Sequence, residues 1–312
     1  MAKRPTWYKP DIQLSARMLL TMFLLGAVYT AFILVLWRLG VNLILLCIIA
    51  AVILGIQFFF SDKIALFSMG AREVSEQEAP QLHAIIDRLA AQANLPKPKV
   101  AIVNTNLPNA FATGRSKRHA IVAVTTGLLN RLSTQEIEAV LAHEMTHIIN
   151  RDMFVMTVAT FLSMVASLLV NSLLWGAFYG GGYSGGRGRG RDNEGGAGVL
   201  VIVWMVALVV YALSFLLIRA LSRYREYAAD RGSALITGEP GNLASALMHI
   251  EGTIESGRIP DRDLRQAQGV SALMIMPALR GGSAMELLST HPSLEHRIER
   301  LQRIQKQMEA AR

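Results

Sequence analysis

Residues 143–147 read His143-Glu144-Met145-Thr146-His147, and this stretch lies within a predicted helix. Upstream, Ser133 and Glu136 have the Ser-x-x-Glu spacing of a helix N-terminal capping box, and apolar residues follow at helical spacing. Residues four positions apart share one face of a helix, so the two imidazoles can bind one zinc ion. Glu144 lies beside the first imidazole, where it can act as a general base toward water. The alternative is an ordinary amphipathic helix with two surface histidines.

A third ligand is needed, because catalytic zinc sites generally use three protein ligands and keep one position open. The best candidate is Glu226, in the segment Arg225-Glu-Tyr-Ala-Ala-Asp230. Glu226 and Asp230 share a helix face, so Glu226 can bind the metal while Asp230 accepts the second ring N–H of a ligand histidine. Taken alone, the same pattern is typical of a charged surface helix after a membrane span.

Four long uncharged segments predict an integral membrane protein. The chain is 52% hydrophobic and only 17% charged, which is more apolar than an average soluble domain. Each segment is long enough to cross a hydrocarbon core of about 30 Å as a helix, and four buried core helices of this length are the less favoured alternative. The segments are Met18–Trp37, Val41–Phe60, Met153–Tyr179 and Val199–Ile218.

These segments divide the chain by residue number. Residues 1–60 form a predicted N-terminal transmembrane hairpin, residues 153–218 a second hairpin, and residues 61–152 with 219–312 a cytoplasmic catalytic domain. The second hairpin contains a Gly/Arg-rich loop at 180–198, which is predicted to be a flexible non-cytoplasmic loop rather than an RNA-binding segment.

The lysines and arginines near the span ends lie mostly on the side of the two termini. The positive-inside rule therefore predicts that both termini and the zinc motif face the cytoplasm, although the arginines of the loop argue weakly the other way. The formal charge of +8 is then explained largely by these anchors, and the sequence contains no nucleic-acid-binding module. The single cysteine, Cys47, excludes an intrachain disulfide.

The soluble part is predicted to contain a short sheet. Residues 100–103 and 120–125 are β runs, and Asn109–Ala112 is predicted to enter a strand directly after Pro108. Proline cannot donate to a sheet ladder, so this strand is predicted at the sheet edge. The predicted fold class is a mainly α integral membrane protein, with four transmembrane helices and an α+β, zincin-type catalytic domain.

The second hairpin explains how distant ligands can meet. If the motif helix continues into the third span, His147 lies about 9 Å before Met153, and Glu226 lies about 12 Å beyond Ile218, at 1.5 Å per residue. The two ends of a hairpin emerge at one membrane face, so the ligand helices are predicted to converge just above it.

Four motifs occur in order: Asn109-Ala-Phe-Ala112, His143-Glu-Met-Thr-His147, Arg225-Glu-x-x-Ala-Asp230 and Ser289-Thr-His291-Pro292. Together they resemble the HtpX family of membrane zinc endopeptidases, distant relatives of the CAAX prenyl proteases, over nearly the whole chain. The resemblance implies that the Zn²⁺ ligands are His143, His147 and Glu226, with Glu144 as the general base.

The resemblance also implies roles for two further segments. The strand residues Asn109, Ala110, Phe111 and Ala112 are expected to pair with an extended substrate, and His291 is expected to approach the transition-state oxyanion. On sequence alone, a Thr-His-Pro before a helix is a structural turn.

The expected function is that of a membrane-bound zinc endopeptidase of the inner membrane, acting at the cytoplasmic face on unfolded or damaged membrane proteins as part of stress-related quality control. Its partners would then be those substrates and the lipid bilayer, without nucleic acid; the sequence leaves the oligomeric state open. A CAAX prenyl protease-like enzyme and a catalytically silent zinc-binding scaffold are the alternatives. A transporter is disfavoured, because none of the four segments carries an internal charge.

Overall fold

The computed structural model describes residues 11–39, 43–179, 194–256, 259, 274–275 and 291–311. These residues are mainly helical with one small sheet. The chain forms two compact units: Met1–Ser15, Phe58–Val155 and Ser222–Arg312 make one, and Ala16–Gln57 with Met156–Leu221 make the other. The first contains the sheet and the sequence motifs.

Nine helices and four strands are found in the described part of the chain. The helices are α1 (Ile12–Arg38), α2 (Leu43–Met69), α3 (Pro80–Ala93), α4 (Thr126–Leu129), α5 (Thr134–Ile149), α6 (Asp152–Tyr179), α7 (Glu194–Thr237), α8 (Pro240–Glu255) and α9 (Leu294–Glu309). The strands are β1 (Ala71–Glu73), β2 (Lys99–Val103), β3 (Ala110–Thr113) and β4 (Ile121–Thr125), with a 3₁₀ turn at Lys117–His119.

Three helical segments among the described residues are long and apolar enough to cross a membrane, namely Ile12–Arg38, Asp152–Asn171 and Val201–Thr237. They contain the first, third and fourth predicted spans in whole or in large part. The second predicted span falls on α2, which is helical but is not among the three, so a fourth span stays a prediction. In the unit formed by Ala16–Gln57 and Met156–Leu221, the Tyr29 hydroxyl of α1 donates to the Ala159 carbonyl of α6 at 2.6 Å.

The two helices on either side of the Gly/Arg-rich loop differ from the sequence prediction. Helix α7 begins at Glu194, so residues 194–198 are helical where we predicted loop, and residues 180–193 lie outside the described part. The motif helix also does not continue into the next helix. Asn150 caps α5, and Arg151 takes a left-handed conformation with φ of 56°, which an α-helix does not accommodate. The assumption of one continuous helix was therefore wrong.

The sheet has the strand order β1-β2-β4-β3. Strands β2 and β4 are parallel, whereas β1 and β3 each pair antiparallel with their neighbour. Strand β3 therefore lies at an edge, as Pro108 predicts. The N–H of Thr125 donates to the Asn109 carbonyl at 2.9 Å. Since antiparallel pairing alternates along a strand, the main-chain polar groups of Ala110 and Ala112 point away from β4.

The main core lies on one face of this sheet, where α3, α5 and α8 pack together. Their buried side chains remove apolar surface from water, at roughly 1.5–3 kcal/mol for each large aliphatic residue. Members of this cluster include Leu82, Ile86, Leu89, Val140, Leu141, Leu243 and Leu247.

The start of α5 shows the predicted capping box. The Ser133 N–H donates to Glu136 Oε2 at 2.8 Å, and the Ser133 side chain accepts from the Glu136 N–H. The other carboxylate oxygen of Glu136 accepts from the Ser245 hydroxyl of α8 at 2.6 Å and lies 2.8 Å from His249 Nδ1. One carboxylate therefore both caps the motif helix and attaches it to α8.

Candidate metal centre

The three predicted ligand side chains converge. His143 and His147 on α5 bring their Nε2 atoms within 3.2 Å of each other. Each Nε2 lies 3.6 Å from a carboxylate oxygen of Glu226 on α7. One nitrogen or oxygen from each residue falls within 4.8 Å of the other two. Two imidazoles and a carboxylate at this separation form a donor set that a divalent cation such as zinc accepts.

A carboxylate lies behind each imidazole. Asp230 Oδ1 is 3.0 Å from His143 Nδ1, where the sequence places an orienting acceptor. Asp152 Oδ2 is 2.6 Å from His147 Nδ1. An acceptor at Nδ1 keeps the proton on that nitrogen and turns Nε2 toward the metal. The carboxylates at Nδ1 of both histidines therefore fit a metal centre in which Nε2 binds the cation.

Two buried arginines hold these carboxylates, and neither was predicted. Arg297 of α9 donates to both oxygens of Asp230, at 2.6 and 3.0 Å, a bidentate geometry that fixes the plane of the carboxylate. Arg225 Nη2 lies 2.9 Å from Asp152 Oδ2. Asp152 was also missed. Its only sequence signal is its position shortly after the motif, beyond the left-handed turn at Arg151.

Small side chains let α5 and α7 approach closely. A Cβ on Gly232 would overlap the side chain of Thr146, which lies one position before the second histidine. Beside it, the Ser233 hydroxyl donates to the Ala139 carbonyl at 2.8 Å. Glycine at this contact allows α7, which carries Glu226, to pack against the histidine helix α5. The need for glycine at position 232 has no signal in a single sequence.

The two imidazoles have different proton affinities. Burial lowers the pKa of His143, but the adjacent carboxylates of Asp230 and Glu226 outweigh this effect and raise the pKa to about 9. Burial lowers the pKa of His147 to about 4. Both Nε2 atoms must be free of a proton to bind a cation, so metal binding displaces any proton that the two rings hold at Nε2.

Glu144 is buried beside the histidines. Its Oε2 accepts a hydrogen bond from the main-chain N–H of Ala112 at 2.9 Å. Burial raises the pKa of the Glu144 carboxyl above its usual range, because a charged carboxylate loses hydration there. A carboxylate with a raised pKa is a better proton acceptor at neutral pH.

Of the remaining predicted residues, His291 lies beside the cluster, whereas Asn109 and Phe111 make contacts elsewhere. His291 is buried, and its Nδ1 lies 3.2 Å from Glu226 Oε2. The side chains of Asn109 and Phe111 are occupied inside the protein: Asn109 Oδ1 accepts from the Ile275 N–H at 2.8 Å, and Phe111 packs on the sheet face opposite α5. The main-chain groups of Ala110 and Ala112 point away from β4, and both residues are buried.

The model of peptidase family M48 matches residues 76–305, which include the motif helix, Glu226 and His291. The chain belongs to peptidase family M48. Among its relatives, the protease HtpX homolog of Moorella thermoacetica is 55% identical over 97% of this chain and 98% of its own length. The protease HtpX homolog 2 of Methanosarcina mazei is 52% identical over 96% of this chain and 98% of its own length.

A more distant structure shares the fold. The crystal structure of S. mikatae Ste24p aligns with a TM-score of 0.53 and 17% identity, covering 93% of this chain and 66% of that chain. The family, the apolar helices and the histidine–glutamate cluster together make this M48 protein a membrane metalloprotease.

Proposed function

We propose that this chain is a zinc endopeptidase that hydrolyses peptide bonds of unfolded or damaged membrane proteins at the cytoplasmic face of the inner membrane. The observation that carries the proposal is the convergence of His143, His147 and Glu226 within 4.8 Å, with the buried Glu144 beside them. When bound, Zn²⁺ supplies a Lewis acid that polarises the scissile carbonyl and lowers the pKa of water.

Glu144 provides proton transfer in this proposal. Its raised pKa suits a base that takes a proton from the attacking water and delivers it to the leaving amine. The hydrogen bond from the Ala112 N–H holds the carboxylate in one orientation. Asp230 and Asp152 meanwhile fix the ring orientations of the two histidines.

His291 is proposed to stabilise the oxyanion. It is buried beside the Glu226 carboxylate, which places an imidazole donor next to the cluster. One oxyanion donor typically contributes about 10²–10³-fold to kcat. This role goes beyond the structural turn that the Thr-His-Pro sequence favours.

Substrate recognition is proposed to use the outer edge of β3. The N–H and carbonyl of Ala110 and the carbonyl of Ala112 point away from β4. Both residues are buried, so an extended peptide must reach this edge from within the protein to add as a further strand. Main-chain hydrogen bonds do not depend on the side chains of the substrate, which suits a protease that cleaves many different unfolded segments. The positive-inside distribution supports a cytoplasmic site.

The test uses full-length protein in detergent, with zinc analysis and cleavage of unfolded casein. We expect Glu144→Gln to retain zinc and to lose nearly all cleavage, because only the base is removed. Glu138→Gln is the matched control, since Glu138 lies on the same helix in an ion pair with Arg88. If the Glu144→Gln protein cleaves casein as fast as the unsubstituted protein, Glu144 is not the base. The zinc-binding scaffold would then be the remaining interpretation of the cluster.

A CAAX prenyl protease-like enzyme is the second candidate, and the fold shared with Ste24p is the observation that favours it. Cleavage of a farnesylated peptide without cleavage of unfolded casein would establish it in place of the first proposal.

A further inference from the structure

A cavity of about 520 Å³ adjoins the metal centre. It begins where β3 ends, at Ala112 and Thr113, and His147 forms part of its wall. The lining continues through the loop between β3 and β4 and the turn between α5 and α6. Apolar side chains of Ile148, Met153 and Phe154 complete it.

The polar lining of this cavity is basic. It includes Arg115, Lys117 and Arg118 from the β3–β4 loop and Arg151 from the α5–α6 turn, and it contains no aspartate or glutamate. Arg115 and Lys117 are half-buried, and the other two are exposed. Within the described residues, none of the four cations forms a salt bridge, although elsewhere in this unit lysines and arginines such as Arg72, Arg88, Lys97 and Lys99 are paired.

The loop that carries three of these cations has a fixed shape. Gly114 has φ of +126°, and a Cβ there would come within 2.8 Å of the Ala120 Cα, so the two ends of the loop are in close contact. Between them, Ser116 Oγ and His119 Nδ1 are 2.9 Å apart. The cations are therefore presented from an ordered turn next to the catalytic centre, unlike those of a solvated charged tail.

We propose that this basic cavity binds an aspartate or glutamate side chain of the substrate, on the amino-terminal side of the scissile bond. The inference rests on the proposed function. A peptide that adds antiparallel to β3, the commoner arrangement of neighbouring strands, has its amino-terminal flank at the carboxyl end of β3. That end opens into the basic cavity, so the flank meets the four cations while the scissile bond lies at the histidines.

The test compares paired peptides that differ only in Glu against Gln within four residues before the cleaved bond, using zinc-loaded full-length protein in detergent. We expect kcat/KM to favour the Glu peptide about tenfold, the ratio that two or three partly exposed ion pairs would give. The preference should shrink as salt is raised, because exposed charges are screened.

Charge substitutions then locate the effect. Lys117→Gln with Arg118→Gln should bring the Glu/Gln ratio close to one, and Arg118→Glu should favour a Lys peptide over the Glu peptide. Lys306→Gln, an exposed site on α9 outside the cavity, should leave the ratio unchanged. A reversal of preference cannot come from general destabilisation, since both peptides meet the same protein.

A second measurement does not depend on turnover. We measure binding of the same peptides, fluorescently labelled, to zinc-loaded Glu144→Gln protein by fluorescence polarisation. The Glu peptide should again bind more tightly than the Gln peptide, and this preference should be lost when Lys117→Gln and Arg118→Gln are added.

Equal binding and equal cleavage of the two peptides would overturn this inference while leaving the proposed protease intact. Absence of cleavage with retained Glu-selective binding would instead count against the protease and support the cavity. If the protein binds anionic lipid vesicles through the four cations and does not distinguish the Glu peptide from the Gln peptide, the cavity holds a lipid headgroup and the inference is wrong.

Discussion

Glu144 accepts a hydrogen bond from the main-chain N–H of Ala112 at 2.9 Å. The candidate base on α5 is thereby attached to the edge strand on which we expect the substrate to lie. Since this N–H is occupied, Ala112 can offer only its carbonyl to an added peptide. Substrate alignment and orientation of the base therefore depend on the same residue of β3.

Asp152 is expected to set the metal affinity through His147. Asp152→Asn keeps an oxygen near His147 Nδ1 but removes the charge that faces both this ring and Arg225, so zinc should bind about 10–100-fold more weakly. Competition with a chromogenic chelator measures this affinity. Asp87→Asn, an exposed carboxylate on α3 that pairs with Lys97, serves as the control. Unchanged zinc affinity in Asp152→Asn would refute the orienting role.

His291 is expected to act on the rate rather than on metal binding. His291→Gln should lower kcat by about 10²–10³-fold, the usual contribution of one oxyanion donor, with zinc content and melting temperature retained. His296→Gln is the matched control, because His296 is a nearby histidine that contacts Ser293 Oγ on the protein surface. A large fall in melting temperature with little change in kcat would identify His291 as a turn residue only.

Gly232 is expected to be intolerant of any side chain. Gly232→Ala places a methyl group against Thr146 and should destabilise the protein by about 1–3 kcal/mol, as overpacking does, with weaker zinc binding because α5 and α7 must separate. Gly252→Ala on α8 meets no atom within 4 Å and should stabilise by about 0.4–1 kcal/mol. Similar melting temperatures for the two variants would show that the contact is not tight.

Glu136 is expected to make stability depend on pH. Burial raises the pKa of its carboxyl, but hydrogen bonds from Ser245 and Ser133 outweigh this effect and lower the pKa below 4.5. A lowered folded-state pKa stabilises the fold above the unfolded pKa, and this contribution is lost as pH falls through the folded value. Compared with Glu136→Gln, the unsubstituted protein should be more stable by about 1 kcal/mol at pH 7.

This advantage of Glu136 should decrease below pH 4.5 and disappear once the folded-state pKa has been passed. Melting temperatures of both proteins across this range measure it, with Glu138→Gln as the control on the same helix. An advantage that is constant with pH would mean that the charge of Glu136 is unimportant.

The sequence alone determined the features that depend on short-range spacing. His143 and His147 share a helix face because they are four residues apart, and the capping box of Ser133 and Glu136 starts that helix. Pro108 placed β3 at the sheet edge because proline has no N–H to donate. Long uncharged runs predicted four spans, three of which fall on described helices that are long and apolar enough to cross a membrane, since length and hydropathy are local properties. Glu226 was predicted from the need for a third ligand, and its carboxylate lies within 4.8 Å of the histidine nitrogens.

Tertiary structure alone decided what surrounds these candidate ligands. Asp152 reaches His147 because Arg151 turns the chain in a left-handed conformation, which helical periodicity does not predict. Arg297 reaches Asp230 across 67 positions of sequence, and Gly232 matters only because Thr146 lies opposite. The basic cavity likewise assembles from the β3–β4 loop and the α5–α6 turn. Such contacts arise from the packing of distant segments, so no local pattern of residues encodes them.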